Sequence, residues 1–293
     1  METRELIAKV RKIEIKTRKI VDEITGGAYH SVFKGRGIEF SEVREYTPED
    51  DIRDIDWNVT ARMGTPYIKK YVEERELTVM IVMDVSASST FGTSNESKRE
   101  KMAECAALLA FSAIRNHDKV GLLLYSDRTE LYLPPRSGKL HVLRLIREMV
   151  ACEPVGRGTD LNMALKHLAG IQKKRAVIFL ISDFLGNRNY ERNLKTLNQR
   201  HDVAAFRITD PWEWQIPLLP GVEIMDAESG KQSAFTGTRH WGKRYAGEAS
   251  AEFRNVQQIF TRAKVEMMDL QCGEDSVKPL MKFFRNRRQR KKT

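Results

Sequence analysis

Five side chains in this sequence have the types and the order to hold a hard divalent cation: Asp84, Ser86, Ser88, Thr159 and Asp183. The first three lie in one Asp-x-Ser-x-Ser turn, short enough to aim a carboxylate and two hydroxyls at a single point. Oxygen donors of this kind suit magnesium or manganese, which take carboxylates, hydroxyls and waters in an octahedral arrangement. Two carboxylates and three hydroxyls would leave such an ion one or two waters and one exchangeable position. The plainer alternative is that Asp84 and the serines cap a helix beginning near Ser97.

These donors are useful together only if the fold brings them to one place. Residues 77–83 form an apolar, β-branched run that stops at Asp84, which reads as a buried parallel strand ending in a polar loop. Residues 176–181 form a second such run, ending in Ser182-Asp183. Gly156-Arg157-Gly158-Thr159 is a glycine-flexed loop feeding a helix that reaches about Ile171. In open α/β sheets ligands bind outside the carboxyl ends of the strands, so donors 75 and 99 residues beyond Asp84 can meet one ion.

The intervening chain supplies the alternation such a sheet requires. A helix is predicted from Ser97 to Asn116, with Met102, Cys105, Ala106, Leu109, Ala110 and Ala113 on one face. A strand follows over residues 120–126, then the turn Asp127-Arg128 and an edge strand over residues 129–133 that Pro134-Pro135 stops. Further helices are predicted over residues 139–149, 189–199 and 245–262, and strands over 203–208 and 265–270. Residues 210–242, with their prolines and glycines, are expected to form short hairpins at a sheet edge. The fold class is therefore α/β: a doubly wound, mostly parallel sheet with helices on both faces.

Ahead of this core, residues 3–24 place apolar residues at helical spacing and predict an amphipathic helix, ended by Gly26-Gly27. Residues 35–62 interleave acidic residues with Arg44 and Arg53, the pattern of a salt-bridged, structured loop, and residues 67–72 read as a strand leading into the one that ends at Asp84. The expected organisation is an N-terminal segment over 1–72 packed on a domain over 73–275, with a C-terminal helix and basic tail over 276–293.

The chain has 293 residues, 41% hydrophobic and 31% charged, with a formal net charge of +10. Six of its positive charges fall between Arg285 and Lys292, where a solvated helix end, dispensable for folding, is expected. That excess would also suit a nucleic acid, but no nucleic-acid-binding motif accompanies it. Cys105, Cys152 and Cys272 are too few and too scattered for a disulfide framework or zinc site. No signal peptide and no long apolar window is apparent, so a soluble, cytoplasmic protein without a transmembrane segment is expected. Catalysis is not expected. Gly35-Arg36-Gly37 lacks the features of a phosphate loop, and His30, His117, His141, His167, His201 and His240 show no ligand-like spacing. A magnesium-dependent hydrolase or phosphotransfer enzyme and a basic nucleic-acid-binding protein are the alternatives.

Asp-x-Ser-x-Ser, a loop threonine and a strand-end aspartate, in that order on an alternating α/β chain, resemble the metal-ion-dependent adhesion site of von Willebrand factor A domains. The resemblance implies that Ser86, Ser88 and Thr159 contact a Mg2+ or Mn2+ ion, and that Asp84 and Asp183 hold it directly or through water. It also implies that an acidic side chain of a protein partner completes the coordination. Gly37-Ile38-Glu39-Phe40, Arg44-Glu45-Tyr46, the run Asp50 to Trp57, Ala61-Arg62, the run Glu73 to Leu77, Ile181-Ser182-Asp183-Phe184 and Asp210-Pro211 resemble the bacterial family called domain of unknown function 58. That resemblance covers about residues 25–240 and, together with the adhesion-site pattern, implies a protein-binding module. Its partners would be a MoxR-type AAA+ ATPase and membrane-anchored A-domain proteins, in a chaperone-like or metal-insertion assembly.

Overall fold

The computed structural model describes residues 11, 13–14, 38–73, 76–93, 96–216, 222–225, 227–228, 230, 232–235 and 239–290. The helix expected over residues 3–24 lies almost wholly outside them. The chain divides into two compact units, one formed by residues 34–77 and the other by 1–33 with 78–293.

In the smaller unit, β1 (Ile38–Glu45) pairs antiparallel with β2 (Tyr67–Glu73). Between them lie a 3-10 turn (Ile52–Asp54) and helix α1 (Trp57–Met63). The mixed charges are used locally. Arg44 pairs with Asp50 at 2.6 Å, Asp50 accepts from the Thr47 amide and hydroxyl, and Asp56 caps α1 through the amides of Asn58 and Val59. One expectation is corrected here. Residues 38–45 form a strand where a loop was expected, because a register shift between Phe40 and Glu42 breaks the period-two pattern that would have revealed it. The strand expected over residues 67–72 is present, ahead of the one that ends at Asp84, and it pairs with β1 in this two-stranded sheet.

The larger unit is built on a six-stranded sheet of order β10-β7-β6-β3-β4-β5. Its strands are β3 (Thr78–Asp84), β4 (Lys119–Tyr125), β5 (Thr129–Arg136), β6 (Val177–Ser182), β7 (Asp202–Thr209) and β10 (Glu266–Gln271). All neighbours are parallel except β4 and β5. The strand expected to stop at Leu133 runs through Pro134 and Pro135 to Arg136. The register with β4 shifts between Val120 and Leu122, opposite these prolines, and prolines are tolerated on an edge strand at such an irregularity.

Helices cover both faces, as the alternation predicts. Met80, Val82, Leu123, Ile178 and Leu180 meet α4 (Leu161–Ile171), α5 (Glu191–Arg200) and α7 (Arg239–Arg262) through Leu165, Leu194, Val256 and Phe260. The opposite face carries Val79, Ile81 and Met83 and is covered by α2 (Lys98–Arg115), with α3 (Lys139–Ala151) packed beside it. Helix α2 is buried along most of its length, not on one face alone, and it takes Lys98, Lys101 and Glu104 inside with it. Burying a Val, Leu, Ile or Met side chain contributes roughly 1.5–3 kcal/mol. The run Val79–Met83 therefore outweighs the cost of one buried carboxylate at its end.

Residues 210–242 depart from the expected edge hairpins. A short helix, α6 (Pro211–Trp214), follows β7. The hairpin β8 (Val222–Met225) and β9 (Gln232–Phe235) then forms a separate two-stranded sheet. The edge of the central sheet at β7 is already taken by β10, in parallel register from Glu266↔Ala204 to Gln271↔Thr209.

The C-terminal basic run is not simply solvated. Helix α8 (Val277–Arg290) buries Leu280 and Phe284, and Phe283 packs edge-on against Phe206. Arg287 is 7% exposed and forms ion pairs with Asp202 and with Glu266, the latter at 3.1 Å. Removal of residues 286–293 is therefore expected to cost about 1–3 kcal/mol, the worth of charged hydrogen bonds at a partly exposed site. Urea denaturation of the truncated chain checks this, and Arg287→Ala should reproduce most of the loss. A truncated chain with an unchanged denaturation midpoint would show that the run is dispensable.

Candidate functional site

Asp84 is the last residue of β3, and β6 lies directly beside it in parallel register, with Met83 opposite Ile181. The two strands therefore deliver Asp84 and Asp183 to the same end of the sheet. Asp84 Oδ1 accepts the Ser86 amide at 2.8 Å, and Oδ2 accepts the Ser182 hydroxyl at 2.8 Å. The Ser86 and Ser88 hydroxyls are 3.2 Å apart, and Ser88 Oγ donates to Asp183 Oδ2 at 3.1 Å. Asp84, Ser86, Ser88 and Asp183 thus form one connected network, with both carboxylates and Ser86 fully buried. The capping alternative fails. Helix α2 is capped by Ser97 in a reciprocal box with Glu100, and Asp84 plays no part in it.

The backbone around this network is held under strain. Phe184, directly after Asp183, has a φ of 57°, which is costly for a bulky residue. Its amide donates to Ser182 Oγ at 2.9 Å, and its ring lies 4.8 Å from that of Phe260. On the Asp84 side, Arg99 donates to the carbonyls of Val85 and Cys152, tying the turn after β3 to the end of α3.

The loop carrying Thr159 is clamped from below. Glu130 accepts the Gly156 amide at 2.8 Å, the Val155 amide at 3.1 Å and the Ser126 hydroxyl at 2.5 Å. Gly156 admits no side chain, because a Cβ there would lie 2.1 Å from Asp127 Oδ1 and 2.3 Å from Ser126 Oγ. The Ala87 amide donates to the Arg157 carbonyl at 3.1 Å, which joins this loop to the Asp84 turn. The Thr159 hydroxyl does not enter the four-residue network. It donates to Glu228 Oε1 at 2.5 Å.

A buried lysine completes the electrostatics. The Lys98 ammonium sits 2.6 Å from Asp183 Oδ2 and also contacts Glu213 on α6, with its side chain 1% exposed. Burial would push this ammonium down, but the carboxylates of Asp183 and Glu213 override it and raise it above the ordinary lysine value. Burial, and next the charge of Asp183, push Asp84 up from 3.8 to about 6. Three carboxylates against one ammonium leave this cluster negative. Among the described residues, no group of three or more histidines, cysteines, aspartates or glutamates stands ready to hold a metal. A cation here would rest on the two aspartates and the hydroxyls, a donor set whose hardness and negative charge fit magnesium or manganese.

Lys98, Arg99, Glu130, Glu213 and Glu228 escaped the sequence reading. Nothing in their spacing marks them, since each reaches the site from an element paired to it only in the folded chain. Ser182 was visible beside Asp183, but its bond to Asp84 was not.

The model of a protein family described as protein of unknown function DUF58 matches residues 42–254. An uncharacterized protein of Mycobacterium tuberculosis, Rv1480, is 30% identical over 285 residues, covering 97% of this chain and 90% of that protein. An uncharacterized protein of Mycobacterium avium, MAV169, is 29% identical over 158 residues, which is 53% of this chain and 94% of that one. Among solved structures, a conserved hypothetical protein BatB from Bacteroides thetaiotaomicron aligns with a TM-score of 0.50 at 16% identity. That alignment covers 73% of this chain and 99% of that one, a likeness of fold. The VWA domain of SpRpn10 aligns at a TM-score of 0.42 and 12% identity, over 70% and 94% of the two chains. Among the described residues no helix is long and apolar enough to cross a membrane. The family model runs from within β1 of the smaller unit into α7 of the larger one, and the chain belongs to the family of proteins of unknown function DUF58.

Proposed function

We propose that this chain is a divalent-metal-dependent protein-binding module, built as a metal-ion-dependent adhesion site. The observation that carries the reading is the pair of fully buried aspartates, Asp84 and Asp183, joined through Ser182, Ser86 and Ser88 at the ends of adjacent parallel strands. Like charges held this close and this deep are costly unless a cation offsets them, and Lys98 is shared with Glu213. Asp84, Ser86, Ser88, Thr159 and Asp183 would hold Mg2+ or Mn2+. Once bound, such an ion supplies positive charge and one exchangeable position for an acidic side chain.

The chain's own residues prepare that exchange. Arg99 and Glu130 fix the two loops, and Lys98 anchors the Asp183 side chain through its 2.6 Å contact with Oδ2. The partner would be a protein offering a carboxylate, and we assign the chain as an adaptor for a MoxR-type AAA+ ATPase, alongside membrane-anchored A-domain proteins. Affinity capture of a co-expressed MoxR-type ATPase in magnesium and in EDTA tests this. Retention in magnesium alone is the expected result. Equal retention in both would sink the metal dependence, and no retention in either would remove the ATPase as partner.

A further inference from the structure

The Thr159 hydroxyl is the one predicted metal-site donor that stays outside the hydrogen-bonded network of the other four, and what it donates to is a carboxylate of the same chain. Glu228 lies in the turn between β8 and β9, beside Gly230, whose φ of 69° lets the hairpin reverse. The hairpin forms its own two-stranded sheet and is not a strand of the six-stranded one. Its tip presents an acidic side chain to the loop that Glu130 clamps and Arg157 joins to the Asp84 turn. Building on the adhesion-site reading, we propose that Glu228 is the site's own acidic ligand: the hairpin tip holds the position at Thr159 that a partner's carboxylate takes, and the partner binds by displacing it.

Several features of the molecule agree with this assignment. The bond from Thr159 Oγ1 to Glu228 Oε1 is 2.5 Å long, as short as hydrogen bonds to an ionised acceptor run. The contact is long-range, joining residues 69 apart, so no local turn imposes it. The hairpin also exposes Met225, at 61%, an apolar side chain at the end of β8. The partner chemistry follows: a glutamate or aspartate presented on a tight turn, entering a loop cluster whose preformed shape is that of the hairpin tip. An internal competitor lowers the apparent affinity for such a partner in proportion to the time it spends bound.

Hydrogen–deuterium exchange of the full chain and a nuclear magnetic resonance titration with acetate, the smallest carboxylate probe, test the proposal together. Glu228→Gln keeps the shape of the side chain and removes its charge. Amides in residues 157–161 and 222–235 should then exchange about tenfold faster, the low end of what a hydrogen bond to a charged group is worth. In magnesium, the Thr159 amide of Glu228→Gln should respond to acetate at about tenfold lower concentration than in the unaltered chain, with chloride at equal ionic strength as control. Unchanged exchange overturns the proposal. So does faster exchange with no gain in acetate response, which would make Glu228 a tether and not a competitor. The adhesion-site reading is judged separately by adding Asp84→Asn. If the acetate response of Glu228→Gln survives that change, the metal reading falls while the self-ligand stands. If the response is lost with Asp84→Asn but was never improved by Glu228→Gln, the self-ligand falls and the metal reading stands.

Discussion

Lys98→Met is expected to lower the stability of the metal-free protein by about 3–5 kcal/mol, the range for removing one partner of a buried ion pair. The side chain is 1% exposed, and its ammonium is shared by Asp183 and Glu213, whose own side chains are 1% and 14% exposed. Methionine fills most of the space of the lysine stem, so the loss reports the missing charge more than a cavity. What remains is three carboxylates at one end of the sheet with no ammonium among them. Burial already holds the Asp84 and Glu213 carboxyls above their ordinary values, and for Glu213 the Lys98 charge that opposes this is gone. A raised carboxyl disfavours the folded state above its ordinary range and is relieved by protonation, so the deficit should be smaller at pH 5 than at pH 7.5. Adding Glu213→Gln removes one of the stranded charges, and the double variant should be clearly more stable than the sum of the singles predicts. Urea denaturation of the four proteins at both pH values measures all of this. A loss under about 1 kcal/mol, below the usual cost of an unsatisfied buried charge, would show that water or a rearranged side chain already serves these carboxylates.

The central sheet was legible because its signals are local. The apolar runs ending at Asp84 and at Ser182-Asp183 are strands buried on both faces, and such strands carry no alternation to misread. Their parallel neighbours follow from the helices between them. The errors have a common physical source, which is pairing that sequence spacing does not encode. Residues 38–45 carry a register shift that hides their period. Pro134 and Pro135 look like a stop, and they are one for a central strand but not for an edge. Arg287 looked like part of a solvated tail because nothing near it in sequence is acidic. Its partners, Asp202 and Glu266, come from β7 and β10.

The candidate site divides in the same way. Donors that sit at strand ends could be read, because topology alone takes β3 and β6 to one edge. The groups that set the charge and shape of the site could not. Lys98 follows Ser97 at the start of a helix and reads as a solvent-facing first-turn residue. Only the burial of α2 on several sides turns its ammonium toward Asp183. Thr159 shows the limit most plainly: its loop is joined to the Asp84 turn through Arg157, while its hydroxyl is committed to Glu228, 69 residues away in sequence.

Asp84→Asn should separate the metal from the fold, and in EDTA it is expected to stabilise the protein. Burial and Asp183 push the Asp84 carboxyl from 3.8 to about 6. A displacement of that size corresponds to roughly 3 kcal/mol of differential interaction, borne by the folded state once the group is ionised. Because the folded pKa is the higher one, the folded state binds more protons than the unfolded state across the interval. Stability is therefore lost as pH rises from about 4 to 6, and the penalty is fully present above it. Asparagine cannot ionise. It can still accept the Ser86 amide through its oxygen, while its amide nitrogen donates to Ser182 Oγ in place of accepting from it. The variant should thus melt at or above the unaltered chain at pH 7.5, with the difference vanishing near pH 4. Magnesium reverses the order. At a hundred times its dissociation constant, an ion that binds only the folded state adds about 2.7 kcal/mol, and the variant, lacking one of the two charged ligands, should gain little. Thermal melts at pH 4 and pH 7.5, each with EDTA and with magnesium, carry both halves of the argument. Equal stabilisation of the two proteins by magnesium would show that any ion binds elsewhere and that Asp84 is not a ligand. A variant less stable than the parent at pH 7.5 in EDTA would mean that the buried charge is already compensated by the protein itself.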